Sequence, residues 1–469
     1  MKYDFIIVGA GVAGVYAAYE FMVKKPGSKI LMIEKGRSIY ERKCPVNEHK
    51  IAKCPIFDGV SGCKPSCSIT NGFGGAGAFS DGKFNITTEY GGWLTDYLDP
   101  DLVLELINYV DTINLEYGAP KEITNPYAMH VLDIERRAIG AGLKLLRSQV
   151  RHLGTENNLK IQAKIYESLK DNVEMIFNHE VTDVLVEDNK VKGVYVNEKF
   201  YESDNVLLSV GRDGSKWLEE ICKKNNIKLK NNQVDIGVRV ETNDIVMSEI
   251  NKYLYEGKFI YRTSVGTTVR TFCSNPSGYV VIENHSGTML ANGHAYASDK
   301  LKSRNTNFAL LVSHEFSDPF DIPNEYAHQV SKLANELSCG SIIIQRYGDI
   351  IKGRRSTQKR IDEGFVRPTL KEAVPGDLGL VLPYNTMKSI IEMIEALDHV
   401  TPGIANEHTL FYGVEAKFYS ARPEVDSNFE SKVQGLYFGG DGAGLTRGLA
   451  QASANGVWVA RKIIEKLEK

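Results

Sequence analysis

Residues 3–34 are best read as one β-α-β unit. An apolar run from Tyr3 to Val8 leads into Gly9-Ala-Gly11-Val-Ala-Gly14; a helical pattern follows, and a second apolar run, Ile30 to Ile33, closes on Glu34. Gly9 permits the tight turn out of the strand, Gly11 lets a pyrophosphate approach the backbone, and Gly14 lets the helix pack on the strand. Free N–H groups at the helix start face the phosphates. Glu34 falls 20 residues after Gly14, where a carboxylate can accept from ribose hydroxyls. Val12 and Ala13 at the helix start, and Lys35 beside the acid, complete the expected contact set. An arginine in place of the acid would suit a 2′-phosphate; none stands there. An ordinary glycine-rich turn would leave the acid unexplained, but the motif alone fits FAD and NAD equally.

A chain of 469 residues can form two or three compact units, and its 42% hydrophobic content is that of a globular protein folded throughout. A net charge of -3, without a long basic run, gives no electrostatic reason to expect nucleic acid or an anionic membrane as a partner. The first strand begins at Tyr3, and no apolar stretch approaches the ~20 residues needed to span a bilayer, so a cytoplasmic location is expected. Seven cysteines, an odd number, argue against a disulfide framework.

Beyond Glu34 an irregular, cysteine-rich stretch runs to Asn71-Gly-Phe-Gly-Gly-Ala-Gly-Ala-Phe-Ser-Asp-Gly-Lys83, with five glycines between 72 and 82. A backbone so bare can lie against a flat or anionic ligand, and Gly74, Gly75, Ala76 and Ser80 are assigned to that contact; a flexible surface loop is the alternative. Amphipathic patterns predict helices over 101–117 and 134–149, and Thr155 is placed to cap a third over about 156–170. Segments 173–177, 181–186 and 192–196 read as a meander. A buried strand, 205–210, ends at Gly211. From about 235 to 402 the texture changes to β-rich segments around 236–242, 258–273, 279–283 and 307–313, with helices near 324–337 and 386–398. It carries no second nucleotide fingerprint, and reads as a substrate-facing insertion.

The chain then returns to a strand-loop-helix unit: Gly435-Leu-Tyr-Phe-Gly-Gly-Asp441-Gly-Ala-Gly-Leu-Thr-Arg-Gly448, followed by a helix from Leu449. This unit favours FAD. Asp441 can accept from ribityl hydroxyls while the helix start faces the flavin pyrimidine, where a reduced flavin carries negative charge. NAD has no such moiety.

With these motifs in hand, the chain resembles the glutathione-reductase-type FAD fold, and within it the uncharacterised FAD-dependent dehydrogenases. The resemblance rests on Gly9, Gly11, Gly14 and Glu34, the 71–83 loop, Arg151-His-Leu-Gly-Thr155, Leu208-Ser-Val-Gly211 and Gly439-Gly-Asp441-Gly442. It implies an α/β architecture: a discontinuous Rossmann-like FAD-binding domain over 1–99, 150–235 and 405–469, connecting helices over 100–149, and an inserted β-rich substrate or cap domain over 236–404. It also implies that Val181 meets the adenine through its backbone, that Arg42 approaches the pyrophosphate, and that Thr446, Gly448, Leu449 and Ala450 lie beside the isoalloxazine. The chain lacks the C-x4-C redox pair of the disulfide-reductase branch, so NAD(P)H, as a donor, would reach the flavin transiently.

Cys44, Cys54, Cys63 and Cys67, with nine, eight and three residues between them, could hold zinc or an iron–sulfur cluster, though they lack paired C-x2-C knuckles; ordinary thiols are the favoured reading. For catalysis, Lys83 could stabilise charge beside the flavin, or be a solvated lysine. His285 and His294 could donate protons near neutral pH, or be structural. Arg270, Arg354 and Arg355 could clamp a substrate carboxylate, or pair with surface acids. The expected function is hydride transfer between flavin N5 and a small organic substrate, reducing an activated double bond or running the reverse dehydrogenation. A flavin monooxygenase is the alternative within the fold; a flavin-containing RNA-modification or scaffold protein is the alternative from another class.

Overall fold

The computed structural model describes residues 2–45, 50, 63–64, 66–80, 82–254, 257–285, 287–296, 299–317, 319–320 and 322–469. The chain divides into two compact units, one of Met1–Thr124, Ser148–Asn232 and Ser420–Lys469, the other of Asn125–Arg147 and Gln233–Tyr419.

The first unit is built on a five-stranded parallel sheet in the order Leu436–Phe438, Val206–Leu208, Phe5–Val8, Ile30–Ile33, Val173–Ile176. Its three inner strands and the Leu436–Phe438 edge are buried along their whole length, as strands covered on both faces must be. Helix Val12–Lys24 makes the crossover between Phe5–Val8 and Ile30–Ile33, and helix Thr155–Leu169 leads into the edge strand. Helix Leu449–Leu467 lies against Val12–Lys24 at backbone distance: a Cβ on Gly456 would sit 2.0 Å from the Ala13 carbonyl oxygen. A small antiparallel meander, 183–187, 190–196 and 199–203, completes the unit with Lys2–Tyr3.

The second unit has an eight-stranded mixed sheet in the order 374–375, 343–346, 410–417, 234–243, 305–314, 268–275, 259–262, 143–145. Its central strand, Val234–Asn243, alternates strictly. Val234, Ile236, Val238 and Val240 enter one hydrophobic core, while Asp235, Gly237, Arg239 and Glu241 share the opposite face. Gly237 is obligatory there, since a Cβ would meet the Leu310 carbonyl oxygen at 1.8 Å.

Several boundaries differ from the sequence reading. The helix expected over 134–149 is Met129–Gly140, and Gly142, at φ 75°, turns the chain into strand Leu143–Leu145. Segment 100–149 is therefore divided: helix Pro100–Glu116 belongs to the first unit, where it packs on Leu449–Leu467, and 125–147 to the second. Strand Val173–Ile176 leaves the expected meander because it follows a helix and pairs in parallel with Ile30–Ile33; strand 199–203 takes its place beside 190–196. Helix Thr155–Leu169 is N-capped by Gly154 at φ 75°, not by Thr155. Strand Leu410–Lys417, assigned by sequence to the cofactor domain, pairs on both edges inside the second sheet. The β-rich segment expected around 258–273 is a pair of strands, 259–262 and 268–275, joined by a turn.

Candidate dinucleotide site

The first unit gathers most of the residues assigned to the cofactor. Gly9 adopts φ 99° at the end of its strand, and a Cβ there would meet the Ser209 carbonyl oxygen at 2.8 Å. Gly14 is tighter still: its Cβ would fall 2.1 Å from the Gly9 carbonyl oxygen and 2.9 Å from Ser209 Oγ. Gly11 is different. It caps helix Val12–Lys24 with φ −69°, and a Cβ would have only the Ser209 carbonyl oxygen, 4.0 Å away, as a neighbour. Two glycines are thus imposed by packing, while the third leaves an open cradle at a helix start that has neither a side-chain cap nor an acidic residue in its first turn. Such a start presents unsatisfied N–H groups to an anion.

A second start of the same kind lies beside it. Helix Leu449–Leu467 begins after Gly448 with no side-chain cap and no acid in its first turn, and Gly440 approaches Ala13 closely enough that a Cβ would be 3.5 Å from the Ala13 Cβ. Asn455, from within this helix, accepts the Gly440 N–H through Oδ1 at 3.0 Å, while its buried Nδ2 finds no partner among the described residues. Gly442 leaves no room for a side chain, its Cβ falling 2.1 Å from the Val210 carbonyl oxygen, whereas nothing lies within 4 Å of a Cβ on Gly211. Asp441 accepts from Thr446 Oγ1 at 2.8 Å. Burial pushes the Asp441 carboxyl above its ordinary value, against the opposing pull of Arg212 and Thr446.

Glu34 sits at the end of its strand, buried, with Oε2 accepting the Ala10 N–H at 2.8 Å and Oε1 accepting the N–H groups of Gly36 at 2.8 Å and Gly72 at 3.1 Å. These bonds tie the fingerprint turn to the glycine loop and orient the carboxylate, with Oε2 keeping capacity for a further donor. The loop itself packs over the two helix starts: Gly74 N–H donates to the Ala10 carbonyl at 2.8 Å, and a Cβ on Gly77 would meet Leu449 at 2.6 Å and Val12 at 3.2 Å. Gly74 and Gly75 take positive φ, Ala76 is exposed in the short 3-10 helix Gly75–Phe79, and Ser80 Oγ donates back to Gly77.

Beside the acid is a cavity of about 430 Å³ lined by Lys35, Cys67, Thr70, Asn71, Asn178 and Asp213 among others, with Lys35 and Asp213 paired across its rim. Val181 is buried just ahead of strand Asp183–Glu187.

Arg42 requires a correction. Its buried guanidinium donates to the carbonyls of Ser68, Ile69, Phe73 and Gly75 at 2.6–2.9 Å, so it clamps the glycine loop and is not held out to a pyrophosphate. Burial pulls it down to about 10, against the opposing charge of Glu34. Lys83 opens strand Lys83–Ile86, paired with His152. His285 ends a hairpin strand in the second unit, its ring stacked on Phe418 at 4.4 Å. His294 meets Tyr296 edge-on, Arg354 pairs with Asp349, and Arg355 donates to the Pro375 carbonyl. Cys44, Cys63 and Cys67 are free thiols, Cys54 lies outside the described residues, and no group of three or more metal-ligating side chains occurs among the described residues. Among the same residues, no helix is long and apolar enough to cross a membrane.

Ser209 and Asn455 were missed by sequence reasoning. Ser209 Oγ donates to the Val8 and Gly9 carbonyls and fixes the turn. The available signal was polarity: Gln451, Ser453 and Asn455 punctuate an otherwise small and apolar helix, and all three are buried.

Residues 233–418 match a family model described as FAD-dependent protein, C-terminal domain-like. An uncharacterized protein of Clostridium beijerinckii is 27% identical over 483 residues, covering 99% of this chain and 81% of its own length. Among solved structures, an E. coli quinol fumarate reductase chain aligns with a TM-score of 0.42 and 15% identity over 100% of this chain and 71% of that one. L-proline dehydrogenase from P. horikoshii aligns at 0.38 and 13%, over 99% and 94%. Those two likenesses are too weak to carry an argument. The family match stands by itself: residues 233–418, which lie in the second unit, are similar to that C-terminal domain.

Proposed function

We propose that the chain is an FAD-dependent oxidoreductase of the glutathione-reductase type, moving a hydride equivalent to or from a small organic substrate. The observation that carries this reading is the pair of adjacent helix starts, at Val12 and Leu449, both uncapped and without acidic residues in the first turn, meeting around a glycine position that is open although packing does not demand glycine. One such start suits a pyrophosphate; a second, led by Asp441, suits the polar far end of a flavin nucleotide. The family match supports it independently, because it falls on residues 233–418, outside the unit that holds these features.

Bound FAD would supply the two-electron chemistry. Gly11 and the N–H groups after it hold the diphosphate, Glu34 takes the ribose hydroxyls, and the cavity beside Lys35 receives the adenosine end. Asp441 accepts from the ribityl chain, and the 446–450 turn borders the ring system. Lys83 and His285 are the proposed electrostatic and proton-bearing groups, and a nicotinamide donor is proposed to visit transiently. The protein is proposed to be cytoplasmic, acting on a small molecule and not on nucleic acid.

The test is anaerobic reduction of the FAD-loaded protein, followed by a screen of enoates, enones and quinones for reoxidation. Reoxidation by one class well above buffer is expected. A flavin that none reoxidises, together with salt-sensitive retention of an RNA, would overturn the reading.

A further inference from the structure

The cavity beside Glu34 is bounded in two different ways. Its 66–71 wall is pinned by buried or half-buried donors: Arg37 donates to Ser68 Oγ at 2.7 Å and to the Lys64 carbonyl at 2.6 Å, and Arg42 to the carbonyls of Ser68 and Ile69. A second wall, at Asn178 and Glu180, is held by backbone, with the Asn178 N–H on the Gly36 carbonyl at 2.9 Å and the His179 N–H on the Glu34 carbonyl at 3.2 Å. Lys35 and Asp213 complete the lining and are of another kind. They meet side chain to side chain, 24% and 59% exposed, so their contact can part by rotamer changes while the backbone stays in place.

Their place in the sheet gives that contact a consequence. Lys35 stands just beyond strand Ile30–Ile33 and Asp213 just beyond Val206–Leu208; between those two strands runs Phe5–Val8, which ends in the Gly9–Gly11 turn. Strands separated by one other lie roughly 10 Å apart, a span that a lysine and an aspartate close only by reaching toward each other. The ion pair therefore joins the two segments flanking the fingerprint turn, outside the carboxyl ends of the strands, where an open α/β sheet receives its ligand.

We propose that Lys35 and Asp213 form a clasp across the mouth of the adenosine cavity, which a nucleotide must part both to enter and to leave. This rests on the reading of the cavity as the adenosine end of an FAD site. A clasp that closes over the filled and the unfilled cavity alike slows both passages by one factor and leaves the affinity unchanged, because a device without preference between the two states cannot shift their balance. An ion pair of this exposure supports about a threefold to fivefold effect on each rate, and salt screens it. Asp213 is a positioning residue, acting on the nucleotide's path through Lys35.

The test follows both directions on the full-length protein. Uptake is read as flavin fluorescence change on mixing FAD with FAD-stripped protein, and release from the loaded protein is trapped by a phosphodiesterase that cleaves free FAD to the brighter FMN. Asp213→Asn is expected to speed uptake and release together, about threefold to fivefold at low salt, with the dissociation constant unchanged. The parent is expected to approach the variant's rates as NaCl is raised to about 0.5 M. In the exchanged pair, Lys35→Glu with Asp213→Lys, slow and salt-sensitive passage is expected to return, which a direct charge of Lys35 on the nucleotide would not give. Unchanged rates in Asp213→Asn overturn the proposal, as does an exchanged pair that stays fast. Faster release with unchanged uptake also overturns it, because Asp213 would then help to hold the nucleotide and not bar its path. A yellow protein with unchanged rates sinks the clasp alone; a protein that takes up no FAD sinks the FAD reading, and the clasp with it.

Discussion

Gly11 and Gly14 lie three residues apart in one motif, yet alanine at each should fail for a different reason. At Gly14 the new Cβ meets a carbonyl oxygen at 2.1 Å, a serine oxygen at 2.9 Å and Ile7 Cγ2 at 3.0 Å, so helix and strand must separate. Overpacking of a tight site costs about 1–3 kcal/mol, and a conflict with backbone lies at the upper end. The helical gain from alanine, up to ~1 kcal/mol, offsets only part of it. Gly14→Ala should therefore lose roughly 2 kcal/mol of stability even without cofactor. At Gly11 the Cβ meets nothing closer than 4.0 Å, and φ −69° suits any residue. Exchanging glycine for alanine at an N-cap costs about 0.5–1 kcal/mol, and the stiffer unfolded chain returns about 0.4–1 kcal/mol, so the net is near zero. The methyl instead fills the cradle, and FAD affinity should fall at least tenfold, about 1.4 kcal/mol. Urea unfolding of FAD-stripped protein and FAD titration by flavin fluorescence separate the two effects. The reasoning fails if Gly11→Ala binds FAD as tightly as the parent, or if it destabilises the stripped protein as much as Gly14→Ala does.

Arg42→Lys replaces a fork spanning four carbonyls with a point charge that cannot reach them together; a loss of about 3 kcal/mol in thermal unfolding is expected, with new proteolytic cleavage in 68–80, and an unchanged melt would show the clamp to be idle. Arg151→Met leaves the buried Asp111 carboxylate without its two 2.7 Å donors, and should cost about 3–5 kcal/mol in the same assay; a loss within the noise would refute the pairing. Asp441, whose native carboxyl is raised by burial, contributes stability that is present below its unfolded value and lost as pH rises through the native one. FAD-stripped Asp441→Asn should then be more stable than the parent at neutral pH and gain nothing in acid, while binding FAD more weakly; a stripped variant less stable at neutral pH would contradict the sign.

What the sequence disclosed was local. The jobs of Gly9 and Gly14 follow from chain geometry and needed no knowledge of what lay beyond the turn, and the Asp441 loop with its long helix was readable for the same reason. Arg42 could not be placed, because only the folded 68–75 backbone shows that its donors are spent on carbonyls. Segment 134–149 misled because Leu143 and Leu145 fit a helical period as well as a strand, and Gly142 decided between them. Strand Leu410–Lys417 was assigned to the wrong unit because its partners, 234–243 and 343–346, are distant in sequence. Arg270 pairs with Asp235 and the Tyr419 hydroxyl, and Lys35 with Asp213, spacings that no motif records.

The most direct test of the central claim is the cofactor content of the purified chain, supplied with FAD and then freed of excess. A flavin absorbance spectrum and chromatography of the released nucleotide are expected to give close to one FAD per chain, with that content falling in Gly11→Ala. A colourless protein that retains no FAD, or one that retains NAD in its place, would contradict the account.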